Sequence, residues 1–424
     1  MNNLLGKIGL NEKMAKNFGA ILIIAISGAI IYGLPYFRYD YYDVYLEVYH
    51  LTNTQMGIFG SILGVFGMIS YLFGGIVADR FSIRTILTVS LIGTGIGGLI
   101  HLLPLNFTAL VVLYAFWGIS SLFAFWPACV KAVRVLAGSG DQGKAFGFFE
   151  GGRSVGAAAM ASLAVIAFRL GAGKMDDQAL GMRYVIIFYS ILTIALGILT
   201  FLTVKDDDKI EQSERISFKG IGAVLKMPAV WIIGLVTFCN YILTLSLYYF
   251  TPYSTEFFGL SVTLAATIAA LKRWVSIGAC VGGGYVTDKI GSSNILFGSF
   301  LIMAAAIVGI FLLPTNSGSV IPYVALFMVM YIFYNVVYSM TWSMMDEARI
   351  PEQYSGTAAG VISTVGYLPE IFVSILAGLL IDQNPGRDGY IKYFGFVVVM
   401  LLIGAALMLI WKAMLKKFKA NEAK

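Results

Sequence analysis

Charge is what this sequence most lacks: Asp, Glu, Lys and Arg make up 12% of its 424 residues, against about 25% in a soluble domain. So little charge spread over a chain that is 58% hydrophobic, with a mean hydropathy of +0.82, excludes a water-soluble globule. Cysteine is scarce too. Cys129, Cys239 and Cys280 all fall inside apolar runs, so they read as small buried hydrophobes, which excludes a disulfide framework. The two histidines, His50 and His101, lie near expected loops. With no HExxH or CxxC pattern, no metal site can be assembled, and the chain does not read as an enzyme. A Walker A loop is also missing, which argues against an ATP-driven pump. No cofactor or metal is expected.

What is present is apolar sequence in lengths suited to a bilayer. Runs of about 20 residues, each long enough to cross a ~30 Å hydrocarbon layer as a helix, lie near 17–40, 55–78, 84–104, 107–135, 143–170 and 181–203. A second set lies near 228–252, 261–287, 293–313, 321–346, 355–381 and 390–414. The first run ends at Pro35, Arg38 and a Tyr/Asp cluster, so it reads as a first span and not as a cleaved signal peptide. Between the sets lies the one long polar stretch, Lys205 to Lys226, rich in Asp, Glu and Lys. The expected fold is an all-α membrane protein of twelve transmembrane helices in two halves, 1–204 and 228–424, joined by a linker at 205–227.

An even number of spans places both termini on one side, and Lys and Arg mark the cytoplasmic side. With a cytoplasmic N-terminus, Arg169, Lys174, Arg183, Arg387 and Lys392 are the only basic residues falling on outer segments, whereas Lys412, Lys416, Lys417 and Lys419 fall inside. Both termini are expected to be cytoplasmic. The net charge of +6 then reflects loop asymmetry within a lipid bilayer and calls for no nucleic-acid partner.

The halves repeat each other. After span 2 comes Gly75-Ile76-Val77-Ala78-Asp79-Arg80, and after span 8 comes Gly284-Tyr285-Val286-Thr287-Asp288-Lys289. A glycine lets two helices approach closely, and the Asp can face the positive N-terminal end of a neighbouring helix and latch the cytoplasmic side. Two copies at matching places resemble the signature loop of the major facilitator superfamily of secondary transporters. That resemblance implies the two-fold fold of that family and transport by alternating access. Ser82, where the family has glycine, departs from the pattern.

Charges inside the membrane are costly, about 2.5–3.5 kcal/mol on insertion scales, and face a cavity or a partner. Arg273, preceded by Lys272, lies about eleven residues into span 8, or ~16 Å along it. Neither has an acid nearby in sequence, so another span or a ligand is expected to neutralise one of them. Arg153 lies about as deep in span 5, with Glu150 on the same face at i,i+3; this spacing suits either a ligand site or an internal salt bridge that only packs helices. Arg38 is either an outer-interface residue or a cavity cation.

Resemblance bears on that choice. Arg38 lies 41 residues before Asp79, a spacing similar to that of the substrate-contacting helix 1 arginine in the organophosphate antiporter family. The segment Phe149 to Gly156 resembles helix 5 of that family, with Arg153 at a substrate-contacting position. Span 7 departs from it, with an apolar-aromatic run around Thr244 in place of a second phosphate-binding arginine. The stretches His50 to Asn53, Gln142 to Glu150 and Gly366 to Pro369 resemble bacterial carriers of sulfoquinovose-breakdown operons. This resemblance implies a small phosphorylated or sulfonated carbon compound as cargo.

The expected substrate site is Arg38, Arg153, Lys272 and Arg273, because guanidinium forks bind phosphate, sulfonate and carboxylate bidentately. Tyr32, Tyr36, Trp126, Asn240, Tyr241, Tyr248, Tyr331, Tyr334, Asn335, Tyr338 and Trp342 are candidate lining residues; the alternative for each aromatic is to pack helices or to sit in an interfacial belt. Glu370, deep in span 11, is the candidate for proton coupling, with Glu150 as the second, since a carboxyl in a cavity can be neutral in one state and ionised in another. A structural partnership of Glu370 with Lys272 or Arg273 is the alternative. The expected protein is a monomeric multi-pass carrier of the bacterial inner membrane, moving an organic anion with protons or a counter-anion. Its rivals are an exporter of drugs, a carrier of neutral sugars and a transporter-like sensor.

Overall fold

A computed structural model describes residues 12–137, 142–173, 177–204, 221–290 and 292–422. Eleven helices among them are long and apolar enough to cross a membrane: Lys13–Tyr39 (span 1), Ile83–Ile100 (3), Phe107–Leu136 (4), Ala145–Ala172 (5), Gln178–Thr203 (6), Pro228–Phe258 (7), Val262–Ala279 (8), Ser293–Leu312 (9), Ser317–Ser343 (10), Thr357–Gln383 (11) and Arg387–Lys417 (12). Span 2 is the twelfth. Its helix Asn53–Ile69 runs through a π-helical turn at Ser70–Gly74 into Gly75–Arg80.

Local chemistry sets the helix ends. Ser82, Asn106 and Asp177 each turn a side-chain oxygen onto the backbone N–H three residues on, opening spans 3, 4 and 6; such N-caps satisfy donors that the first turn leaves orphaned. Pro228 opens span 7, where its missing N–H costs nothing. Large apolar side chains stay exposed, Leu312 at 79% and Ile321 at 81%. In a soluble protein they would be buried; here they suit a surrounding of lipid tails.

The chain forms two compact units. The first comprises Met1–Leu51, Val65–Gln212 and Val262–Trp274, and the second Thr52–Gly64, Ser213–Ser261 and Val275–Lys424. Within the first, span 3 packs on span 6 and span 1 on span 5; within the second, span 9 packs on span 12 and span 7 on span 11. The offset of six spans is the structural form of the internal repeat. Each unit also takes in a segment from the other sequence half: Thr52–Gly64 joins spans 7 and 9–12, and Val262–Trp274 joins spans 1 and 3–6.

Spans 1 and 7 share a further device. Span 1 gives way after Ile30 to Gly33–Tyr36 and a tight 3₁₀ turn at Phe37–Tyr39, around Pro35. Span 7 changes to a 3₁₀ turn at Leu247–Tyr249, just before Pro252. Proline removes a helix hydrogen bond and clashes with the preceding turn, so both interruptions follow from sequence. The helices that carry Gly75, Asp79, Gly284 and Asp288 are continuous, but the surroundings of those four residues lie outside the described residues, as does linker 205–220. Arg80 is exposed, and Lys131 Nζ donates to the Ala78 carbonyl at 2.8 Å, closing the end of span 2 from span 4.

Candidate functional site

The broken end of span 1 places Arg38. Its side chain is wholly buried, with the guanidinium carbon 4.1 Å from the Tyr39 ring centre, 4.6 Å from that of Tyr114 and 5.9 Å from that of Tyr36. Nη1 donates to the Pro35 carbonyl, whereas Nε and Nη2 have no hydrogen-bond partner. Among the described residues Arg38 forms no ion pair. Aromatic faces offset the cost of burying its charge, by about 2 kcal/mol or more where water is excluded, but they leave two donors unmet.

Around this cation Tyr114 donates to the Tyr45 hydroxyl at 3.2 Å, and that hydroxyl lies 2.8 Å from His101 Nε2. Tyr49 stacks on the imidazole, with centroids 5.3 Å apart. His101 closes span 3 beside the loop that follows it and is completely buried.

The mid-span cations of span 8 meet an acid that the sequence reading passed over. Arg273 Nη2 lies 2.8 Å from Asp40 Oδ2, directly after the span 1 break, and Lys272 beside it is 6% exposed. Two neighbours hold this arrangement: Tyr41 stacks on Phe168 of span 5 at 4.7 Å, and Trp274 Nε1 donates to Ser162 Oγ at 3.2 Å. In span 5 the internal salt bridge forms, with Arg153 Nε and Nη2 at 3.0 and 2.6 Å from Glu150 Oε2. The Trp126 ring centre lies 5.2 Å from that guanidinium. Tyr32 and Tyr36 meet edge to face at 6.4 Å, one helical turn apart.

The second unit holds a pocket of different character. Thr237, Asn240, Tyr241, Tyr338, Thr341, Trp342 and Tyr367 line it. Tyr241 donates to Glu370 Oε2 at 2.9 Å and packs edge-on against Tyr367 at 4.7 Å. Along span 10, Tyr323, Phe327, Tyr331, Tyr334 and Tyr338 stack one on the next at 5.6–6.3 Å, the consequence of aromatic spacing at three and four residues. Tyr241, Tyr338 and Trp342 thus come together. Arg38, Arg153, Lys272, Arg273, Tyr32, Tyr36 and Trp126 all belong to the first unit. Thr237, Thr341 and Tyr367 escaped the sequence reading, because a threonine in an apolar helix gives no sign of which face it occupies.

Paired six-span repeats, intramembrane cations and a small polar pocket among helices define a membrane carrier of small molecules. The chain matches the model of the Major Facilitator Superfamily over residues 17–374 and belongs to that family. It is 29% identical over 401 residues to the inner membrane protein YihN of Escherichia coli, covering 92% of this chain and 94% of that protein. It is 22% identical over 406 residues to GudP of Bacillus subtilis, a probable galactarate/D-glucarate transporter, covering 87% and 86%. Its fold matches a bacterial homologue of the human lysosomal transporter Spinster, in an inward-facing, unoccupied conformation, with a TM-score of 0.75 at 17% identity over 96% and 98% of the two chains. The protein is accordingly a transporter and not an enzyme.

Proposed function

We propose that this transporter carries a small organic anion, a phosphorylated, sulfonated or carboxylated metabolite, across the bacterial inner membrane by alternating access. It acts as a monomer with both termini cytoplasmic, driven by protons or a counter-anion. The observation that carries the reading is Arg38: a fully buried guanidinium with two nitrogens unmet is expensive to maintain, and an anionic ligand is the partner that would repay it once the span 1 break opens the site. Arg153, Lys272 and Arg273 lie in the same unit, Arg153 and Arg273 each already paired with a carboxylate that an anionic ligand would have to displace. The name of GudP, a probable galactarate/D-glucarate transporter, and that of YihN as an inner membrane protein support the reading.

The test is a thermal-shift screen of the purified protein with anionic, neutral and cationic compounds of three to six carbons, since a ligand that binds only the folded state raises its stability. Anions should stabilise wild type, and Arg38→Gln should weaken that binding about tenfold or more. Stabilisation by neutral sugars or lipophilic cations, unchanged in Arg38→Gln, would favour the rival carriers.

A further inference from the structure

The pocket of the second unit has a hydrogen-bonding sense of its own. Thr237 donates its hydroxyl proton to the Ile233 carbonyl at 2.8 Å, Thr341 donates to the Val337 carbonyl at 2.6 Å, and Tyr241 donates to Glu370 at 2.9 Å. A hydroxyl has one proton to give and lone pairs to offer, so these three groups turn accepting oxygens towards whatever enters. Asn240 adds a fourth acceptor. It lines the pocket, is 3% exposed, and its Oδ1 has no hydrogen-bond partner. A buried amide oxygen without a donor costs about 1–3 kcal/mol, so this place is built for a group that brings a proton.

An anion alone is the poorer occupant, since its oxygens only accept and would leave the Asn240 oxygen unmet. Hydroxyls on carbon are the right one. The rings of Tyr241, Tyr338, Trp342 and Tyr367 flank the acceptors and offer flat apolar faces to the C–H side of a hydroxylated chain, a combination of apolar walls and few polar groups that fixes a ligand's orientation.

We propose that this pocket is a polyol subsite, which reads the hydroxyl groups of the transported molecule, and that the substrate is a polyhydroxylated anion. The second half of that statement rests on the anion reading given above; the subsite itself rests on the pocket alone. Asn240 is the specificity-determining residue, and Thr237 and Thr341 supply the accompanying acceptors.

Three probes of one carbon length separate the two readings: D-glucarate, with two carboxylates and four hydroxyls; adipate, with the carboxylates alone; and D-glucitol, hydroxylated and uncharged. Binding to the purified full-length transporter is measured by calorimetry or thermal shift. The expected order is glucarate about tenfold or more tighter than adipate. Asn240→Leu should bring glucarate down to the level of adipate while leaving adipate unchanged. Thr341→Val, nearly isosteric, should produce the same selective loss if Asn240→Leu fails to fold. Arg38→Gln should weaken glucarate and adipate together.

Equal binding of glucarate and adipate in wild type, equal loss of both in Asn240→Leu, or no response to either hydroxylated probe overturns the polyol subsite. Binding of 1,6-diaminohexane that depends on Asn240 also overturns it, since acceptors among aromatic faces would then be holding an ammonium group. Glucitol binding as tightly as glucarate, with Arg38→Gln silent but Asn240→Leu still selective for hydroxyls, overturns the anion reading and leaves the subsite standing.

Discussion

The Arg273–Asp40 pair shows what an intramembrane charge demands. The side chains are 29% and 11% exposed, so neither carboxylate nor guanidinium is well hydrated, and each is tolerable chiefly because of the other. Removing one partner of a buried pair costs about 3–5 kcal/mol, whereas replacing both is close to neutral; with this partial exposure about 2 kcal/mol is the expected single-mutant cost. Arg273→Gln and Asp40→Asn should therefore each lower the Tm in detergent by several degrees, and the double variant should recover most of it. A double variant as unstable as the sum of the singles would mean that the two groups act independently. The pair also marks a limit of what sequence reveals. Glu150 and Arg153 were legible because three residues is a helical neighbourhood, and that bridge is present. Asp40 and Arg273 are 233 positions apart, and nothing in either local sequence points to the other. His101 shows the same limit: it lies at the end of span 3 beside a loop, as expected, but the rings of Tyr45 and Tyr49 that pack on it come from another element, which local sequence does not reveal.

At the scale of elements, the seam between spans 2 and 11 joins parts far apart in the chain within one unit. A Cβ at Gly57 would stand 2.3 Å from the Ser374 carbonyl oxygen, one at Gly64 2.6 Å from the Glu370 oxygen, and one at Gly378 2.4 Å from the Asn53 oxygen. Only hydrogen fits there, so the helices run antiparallel at a close backbone approach. Asp382 closes one end: Oδ1 accepts from Asn53 N and Nδ2 at 3.1 and 2.8 Å, and Oδ2 from Thr54 N and Oγ1 at 2.7 and 2.6 Å. A carboxylate from span 11 thereby caps the N-terminus of span 2, where negative charge is favoured. Asp382→Ala should cost about 1–2 kcal/mol locally, read as about tenfold faster deuterium exchange at residues 53–56, with spans 9 and 12 unaffected. Unchanged exchange there would mean that water replaces the clamp. The spans themselves were legible from length and hydropathy. The seam was not, because three glycines at a contact look no different in sequence from the rest of the 47.

For the whole molecule, the six-plus-six repeat was readable from the paired Gly-x-x-x-Asp motifs and the polar linker, and it recurs as matching span pairs in the two units. The exchange of Thr52–Gly64 and Val262–Trp274 between units was not readable, because it depends on which helix faces come together and not on where the chain turns polar. How such a carrier is energised turns on Glu370. It accepts from Tyr241, and Tyr241 lines the pocket, so a proton on Glu370 would change the hydrogen bond that orients a lining residue. A carboxylate accepts that proton, while a protonated acid competes to donate one of its own. If transport requires Glu370 protonated in one half of the cycle and ionised in the other, Glu370→Gln resembles the protonated form permanently. The variant should then bind substrate and exchange it across proteoliposomes in counterflow, which needs no net proton movement, yet lose accumulation driven by an imposed pH gradient, which does. Accumulation equal to wild type would make Glu370 a structural partner of Tyr241. Coupling would then rest on Glu150, the second intramembrane carboxylate of the sequence reading, or on a titrating group of the substrate. The two are told apart by Glu150→Gln, which abolishes pH-driven uptake in the first case and leaves it intact in the second.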